Sequence, residues 1–316
     1  MKKHLGTAGA AVAVLALAAA AVLLSDRQLS PNQTGTLRIL VFVCAGSAAY
    51  CFIVGEIAGN FSQMDKLWSL LPIAYGWIIA VRGGLTPRLV LSALLVTAWG
   101  IRLTVNFARK GAYSLRFWSG KEDYRWAVVR RNKLFRRRFA WALFDLFFIS
   151  IYQNALVLAI CLPALACMDS AAPLGAWDVA AAAAAVLFLA LETVADEQQW
   201  RFHQAKNRGL AQGATLAQLP APYCLGFNTV GLWGRMRHPN YLGEQGFWLS
   251  LYFFAVGAGA ARSGVFHWSL VGPLFLVLLF LGSSALGEAI SAQKYPLYGQ
   301  YTRQVYKYLP LRRFAP

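Results

Sequence analysis

The chain has 316 residues, of which 58% are hydrophobic and 14% are charged, with a mean hydropathy of +0.47 and a formal net charge of +17. Soluble domains are about 45–50% apolar and about 25% charged, and disordered chains contain few aromatic residues. The composition therefore excludes both classes and predicts an integral membrane protein. The five cysteines form no Cys-x-x-Cys pair and the four histidines are far apart, so the sequence predicts no metal site and no disulfide framework.

Eight apolar stretches have a length suited to crossing a bilayer, which takes about 20 mostly apolar residues, or fewer where flanking groups reach the interface. They predict an all-α polytopic bundle of about eight transmembrane helices. The first stretch starts with Lys-Lys-His, as a signal peptide does, but its apolar run is long and has no clear polar cleavage region, so we expect a retained anchor. We divide the chain into an N-terminal anchor with a short external loop (1–36) and a membrane domain (37–316). The stretches are 5–25, 37–57, 67–82, 88–107, 139–166, 177–194, 245–262 and 268–287.

The basic residues predict the orientation of these spans. All but six of the 30 Lys and Arg residues fall on one side of the membrane, which the positive-inside rule assigns to the cytoplasm together with both termini. This topology explains most of the net charge, so we expect membrane lipid and no nucleic acid as a partner. The six exceptions are Arg27, Arg38, Arg82, Arg88 and Arg262 on the other side and Arg102 within a span.

Ionisable and polar residues occur within or at the ends of the predicted spans, where each charge costs roughly 2.5–3.5 kcal/mol at the bilayer centre. Nearly all of them lie in the cytoplasmic halves of their helices, which favours one polar cavity open to the cytoplasm. The alternative is that they lie at the interface or pair with one another for structural reasons. The set comprises Glu56, Asn60, Gln63, Arg102, Asn106, Asp145, Asn154, Glu192, Glu244 and Glu288.

Three long cytoplasmic segments, 107–138, 194–243 and 288–316, are where we expect function to reside, because they are too long and too rich in polar and aromatic residues for simple turns. The most informative stretch is Gly231–Glu244, GLWGRMRHPNYLGE. Pro239 suits the first turn of a helix. Arg235, Arg237 and His238 would then lie at the positive end of that helix and form an anion site. Asn240 and Glu244, four residues apart on one face, suit hydrogen bonds to a ribose or carboxamide.

This stretch resembles the steroid 5-alpha-reductase superfamily of membrane reductases, in its bacterial branch. Further segments resemble the same branch in the same order along about residues 60–310. They are Asn60–Ser69 with Pro72 and Tyr75, Trp99–Leu103 with Asn106, Glu122–Trp126, Ala195–Gln199, and the tail from Glu288 through Tyr295, Tyr298, Tyr301, Tyr308 and Pro310.

The resemblance implies an NADPH-dependent oxidoreductase of a bacterial inner membrane that reduces a carbon–carbon double bond conjugated to a carbonyl in a steroid- or isoprenoid-like substrate. It places the cofactor on the cytoplasmic side, in the segments 107–138, 194–243 and 288–316. The residues that it assigns to the cofactor, together with those of the predicted anion site, are Asp196, Lys206, Arg235, Arg237, His238, Asn240, Tyr241, Glu244, Tyr298 and Arg303.

The residues that would contact the substrate depart from the family pattern. Trp99 stands where a tyrosine is expected, and Gln63 or Asp65 only approximates the usual glutamate. An indole N–H donates a hydrogen bond but is a poor proton source. Our candidates for polarising the substrate carbonyl are Asp65 in its protonated form, Tyr75 and Arg102.

Two other interpretations remain. Isoprenylcysteine and phospholipid methyltransferases, which use S-adenosylmethionine, share an Arg-His-Pro-x-Tyr loop and a tail glutamate with tyrosines. The Asn60–Ser69 and Asp196–Gln199 segments favour the reductase. A non-catalytic membrane protein that keeps the fold would tolerate changes at Asn240 and Glu244.

Overall fold

A computed structural model describes residues 2–23, 28–260 and 265–315. Within these residues the chain is helical and has no strand, so the predicted all-α class is confirmed. The twelve α-helices are α1 (Lys2–Leu23), α2 (Pro31–Ala58), α3 (Gln63–Leu67), α4 (Leu71–Arg82), α5 (Pro87–Ala108), α6 (Tyr124–Arg130), α7 (Arg138–Phe144), α8 (Gln153–Ala166), α9 (Ala176–Ala211), α10 (Pro239–Gly257), α11 (Val271–Lys294) and α12 (Tyr298–Gln304). A π-helix, Asp145–Tyr152, joins α7 to α8, and five 3₁₀ turns are Lys133–Arg136, Leu216–Gln218, Tyr223–Leu225, Gly231–Gly234 and Trp268–Leu270.

Each of the eight predicted spans falls mainly on helical structure. The exceptions among the described residues are the turn at 68–70 in the third span and 258–260 in the seventh, and the ends of the first and seventh spans lie outside the described residues. Among the described residues, five helices are long and apolar enough to cross a membrane, whereas α1 and α4 offer shorter apolar runs. The protein is therefore a multi-pass helical membrane protein. The count of eight spans and the orientation of the termini stay predictions. The five helices are Pro31–Ala58, Pro87–Ala108, Arg138–Ala166, Ala176–Ala211 and Trp268–Lys294.

The starts of the helices follow local chemistry. Pro31 occupies the first turn of α2, where a missing N–H costs nothing. The Ser30 hydroxyl accepts the Gln33 N–H at 3.0 Å, and the Gln33 side chain accepts the Ser30 N–H at 3.1 Å. Gly59 ends α2 with a φ of 63°, a left-handed conformation that glycine adopts without strain. Proline likewise stands in the first turn of α4, α5 and α10.

The chain separates into two compact units, which are described in turn. Unit 1 comprises Met1–Ala185 and Trp248–Leu276, and unit 2 comprises Val186–Phe247 and Val277–Pro316. The predicted division at residue 36 stays a prediction.

In unit 1, α4 packs against α5 and α8, and α2 packs against α8 and the π-helix. A buried ion pair joins α5 to α9: Arg88 Nε lies 2.6 Å from Asp178 Oδ1, and the two side chains are 4% and 2% exposed. The same guanidinium donates to the carbonyls of Ala172 and Pro173 at 3.1 and 2.9 Å. Buried ions are tolerated only when paired and hydrogen-bonded in this way.

In unit 2, α9 and α10 approach so closely that only glycine fits between them. A Cβ on Gly243 would lie 2.6 Å from Glu192 Cβ and 2.9 Å from Phe188 O. Small residues allow such contacts between membrane helices. The C-terminal part of unit 2 is held by a buried hydrophobic cluster of five aromatic residues and one valine: Phe227, Tyr295, Tyr298, Tyr301, Val305 and Phe314.

Candidate functional site

The segment that precedes α10 is held in place by the tail of the chain. The Arg237 and His238 N–H groups donate to the carbonyls of Tyr306 and Lys307 at 3.0 and 3.1 Å. The Tyr301 hydroxyl donates to the carbonyl of Trp233 at 2.5 Å. Two of the predicted cofactor segments, 194–243 and 288–316, therefore meet in unit 2.

Glu288, in α11, links the tail to the segment that precedes α10. Its Oε1 atom accepts hydrogen bonds from Arg237 Nε at 2.8 Å and from His238 Nε2 at 2.9 Å. Burial lowers the pKa of His238 below its usual value, an effect that Glu288 opposes. The imidazole is then neutral at pH 7, with its proton on Nε2 and Nδ1 left as an acceptor. Arg237 Nη1 also donates to the carbonyls of Thr302 and Val305. Arg237 and His238 thus fasten the loop, whereas Arg235 is exposed.

Asn240 and Asp196 form the second feature of unit 2. Asn240 Nδ2 donates to Asp196 Oδ1 at 3.2 Å, and because a carboxylate only accepts, this bond fixes the orientation of the amide. Asn240 Oδ1 is buried and has no hydrogen-bond partner in the described structure, and the same holds for Gln199 Oε1. Asp196 and Glu244 are 8% and 5% exposed. A buried acceptor without a donor calls for a water or a ligand.

The other predicted cofactor residues make contacts within unit 2. The Lys206 ammonium donates to Gly226 O at 2.9 Å, and the Tyr298 ring packs edge-on against Phe227 with centroids 5.0 Å apart. Tyr241 stacks on the His238 ring at 5.1 Å. Arg303 is exposed on α12.

The three candidates for the substrate end lie in unit 1. Asp65, in α3, accepts the Trp126 indole N–H at 3.1 Å. Burial and the neighbouring Asp123 raise the pKa of Asp65, which favours the protonated form that we predicted for it. Tyr75 is fully buried in α4, and Arg102 is half-buried on α5. Trp99 is fully buried against Trp248, with ring centroids 4.9 Å apart.

Two residues that hold the loop before α10 in place were absent from the predicted site residues, namely Glu288 and Gln198. The sequence did single out Glu288, as a polar residue in a predicted span and as part of the tail motif, but we did not assign it to the site. Gln198 accepts the Leu232 N–H at 2.9 Å, and a Cβ on Gly231 would lie 2.5 Å from its Oε1. Gln198 belongs to the Ala195–Gln199 segment that the resemblance singled out.

A protein-family model described as "Protein of unknown function (DUF1295)" matches residues 51–305. The chain is also 36% identical over 280 residues to "Uncharacterized protein C594.04c" of Schizosaccharomyces pombe, an alignment that covers 82% of this chain and 77% of the relative. The chain belongs to the DUF1295 family. No solved structure matches it. Because the relative comes from a yeast, family membership leaves the bacterial inner membrane as a prediction.

Proposed function

We propose that the protein is an integral membrane oxidoreductase that uses NADPH to reduce a carbon–carbon double bond conjugated to a carbonyl in a lipophilic substrate. Its ordered motifs, which resemble those of the steroid 5-alpha-reductase superfamily, support the proposal. Two further features support it: the multi-pass helical architecture gives an apolar substrate access from lipid, and unit 2 gathers the polar groups that a nucleotide requires.

The observation that carries the proposal is the amide of Asn240. Its nitrogen is committed to Asp196, and its oxygen is buried without a donor. A nicotinamide nucleotide offers ribose hydroxyl and carboxamide N–H groups, either of which would satisfy this oxygen. An unsatisfied buried polar atom costs about 1–3 kcal/mol, which a bound donor recovers. The residues present therefore fit this cofactor.

Asn240, Asp196 and Glu244 would hold the hydroxyl and amide groups of the cofactor. The exposed Arg235 and Arg303 would neutralise its phosphates, and the first-turn N–H groups of α10 add a favourable field. When bound, NADPH supplies the hydride for the β-carbon of the substrate. Arg237 and His238 keep the loop in place through Glu288 and act as positioning residues.

At the substrate end, Asp65 would polarise the carbonyl. Its raised pKa suits a protonated carboxyl that donates a hydrogen bond to the carbonyl oxygen as negative charge develops there. Tyr75 and Arg102 are the further candidates for this role. Trp99 stands in place of the family's tyrosine, and its indole N–H is a hydrogen-bond donor but a poor proton source.

The test is the thermal stability of detergent-purified protein titrated separately with NADPH, NADH and S-adenosylmethionine. A ligand that binds only the native state adds about 2.7 kcal/mol at a hundredfold excess over its dissociation constant. We expect NADPH to stabilise the wild type. Asn240→Ala should lose this stabilisation, whereas Asn207→Ala, which changes an exposed asparagine on α9, should keep it. NADPH binding unchanged in Asn240→Ala would contradict the site assignment.

A methyltransferase is the second candidate, because the loop with Arg237 and His238 and the tail with Glu288, which resemble those enzymes, are joined through the hydrogen bonds of Glu288. Stabilisation by S-adenosylmethionine alone would favour it. A response to none of the three ligands would favour a membrane protein that keeps the fold without the chemistry.

The proposal also includes a topology of eight spans with both termini and the cofactor residues in the cytoplasm, in a bacterial inner membrane. The distribution of Lys and Arg supports this orientation.

A further inference from the structure

An open cavity of about 600 Å³ lies in unit 1, and none of its lining residues is among those assigned to the cofactor or to the substrate. Its volume is in the range of small-molecule sites, about 300–1,000 Å³. Four arginines and three aromatic rings line it, with Glu56 as the one acidic residue among the lining side chains. The lining residues are Glu56, Gly59, Phe61, Arg130, Arg131, Phe135, Arg136, Arg138 and Trp141.

Arg130 lines this cavity and packs against two of its aromatic rings. Its guanidinium lies 4.4 Å from the centre of the Phe61 ring and 4.6 Å from that of Trp141, so two aromatic faces hold it. Its Nη2 forms an ion pair with Glu122 Oε1 at 3.5 Å, and its Nε and Nη2 atoms are buried without a hydrogen-bond partner in the described structure. Two rings and one ion pair thus hold the guanidinium, and the Arg130 side chain, which is 39% exposed, brings its positive charge to the cavity.

The remaining arginines of the cavity are more exposed than Arg130. Arg131, Arg136 and Arg138 reach solvent, and Arg138 forms a long ion pair with Glu56, at 3.9 Å. The lining therefore carries an excess of positive charge. Glu56 lines the cavity with a side chain that is 21% exposed, so its carboxylate is an acceptor for a hydroxyl group.

The cavity adjoins the membrane-spanning helices. Gly59 follows the last residue of α2, and Arg138 is the first residue of the Arg138–Ala166 span. From this end of the span, a row of outward-facing apolar side chains runs along the helix at intervals of four residues. These are Phe139, Leu143, Phe147 and Ile151, which are 75%, 39%, 60% and 44% exposed. Such a row is a surface for acyl chains.

We propose that this cavity binds the headgroup of an anionic membrane phospholipid. Arg130, Arg131 and Arg136 contact the phosphate, and Glu56 accepts a headgroup hydroxyl. The acyl chains lie along the row that starts at Phe139. Guanidinium groups suit phosphate because they donate in a fixed fork. The apolar row favours a lipid over a soluble phosphate, which has nothing to place there. This inference does not depend on the reductase proposal.

The experiment measures the midpoint of thermal unfolding of the full chain in neutral detergent as phosphatidylglycerol, phosphatidylcholine or soluble glycerol 3-phosphate is added. The test variant is the double substitution Arg131→Gln with Arg136→Gln, which removes two exposed lining charges. The control variant is Lys133→Gln with Arg137→Gln, which removes two exposed charges from the same segment outside the lining.

We expect phosphatidylglycerol to raise the midpoint, phosphatidylcholine to have little effect, and the test variant to bind phosphatidylglycerol roughly tenfold or more weakly, because each lost charge-assisted contact is worth about that factor. The control variant should respond like the wild type. Equal stabilisation by glycerol 3-phosphate would overturn the lipid in favour of a soluble phosphate. An equal response of the two variants, or none in the wild type, would overturn the site.

Discussion

At the scale of single residues, the polar groups of unit 2 differ in how far the protein itself satisfies them. Glu288 accepts from both Arg237 and His238, and these side chains are only 12–19% exposed. Asn240 keeps one buried oxygen without a donor. The hydrogen-bonded groups of Glu288, Arg237 and His238 hold the loop before α10 in place, whereas the unpaired oxygen of Asn240 can accept a hydrogen bond from a ligand. We therefore expect Glu288 to matter for stability and Asn240 for binding.

Replacing Glu288 with Gln tests this division. The change removes the charge that Arg237 and His238 share, and hydrogen bonds to charged groups contribute about 1.5–3 kcal/mol each. We expect the free energy of unfolding to fall by about 2 kcal/mol, measured by denaturation in detergent. The matched control is Glu197→Gln, since Glu197 pairs with an Arg201 that is 78% exposed. An exposed pair of this kind contributes about 0.3–0.5 kcal/mol. Equal losses in both variants would count against an organising role for Glu288.

The stability of the protein should also depend on His238 as the pH falls. The pKa of His238 is lowered in the folded protein, so below about pH 6.5 the unfolded chain binds the extra proton first and folding weakens. We expect the unfolding midpoint of the wild type to fall between pH 7.5 and pH 5 more steeply than that of His238→Gln. His267, whose pKa burial lowers to about 4, is present in both proteins and cancels in the comparison. Parallel curves would show that His238 does not titrate in this range.

At the scale of elements, the sequence predicted the helices well and their junctions less well. The helix of the predicted span at 177–194 does not end there but continues into the 194–243 segment, as one helix, α9, of 36 residues. The π-helical turn pattern of Asp145–Tyr152 within the span 139–166 was not predicted. Eight apolar residues in a row carry no signal that separates the two types of helix, because their hydrogen-bonding pattern rather than their composition distinguishes them.

The contact between α9 and α10 gives a prediction at this scale. Gly243→Ala would place a methyl group 2.6 Å from Glu192 Cβ, so one helix must move. Overpacking of this kind typically costs about 1–3 kcal/mol. The control is Gly282→Ala in α11, where a Cβ meets nothing within 4 Å. There the better helix propensity of alanine should leave stability unchanged or raise it by up to about 1 kcal/mol. Thermal unfolding of both variants in detergent decides whether the helix contact is as tight as described.

At the scale of the whole molecule, composition and charge predict a topology that labelling can test. We expect the 107–138 segment in the cytoplasm and the 167–176 connection on the opposite side. In a cysteine-free background, a membrane-impermeant thiol reagent should label Leu174→Cys in intact cells. It should label Lys133→Cys only after permeabilisation. Both positions are exposed, so differences in accessibility to solvent do not confound the comparison. The reverse pattern would invert the predicted orientation.

The sequence by itself determined that the chain is an all-helical membrane protein, where its apolar helices lie, and that α10 begins at Pro239. These properties depend on composition and on residues a few positions apart, such as a proline in the first turn of a helix. They required no knowledge of distant contacts.

Only the tertiary structure decided how the side chains of the motifs are used. It placed Arg237 and His238 on Glu288, 50 or more positions along the chain, and Asn240 on Asp196, 44 positions away. It also gathered Glu56, Phe61 and four arginines around one cavity. Pairings over such separations leave no local periodicity in the sequence. They arise when the helices pack and buried polar groups take the partners that packing brings within reach.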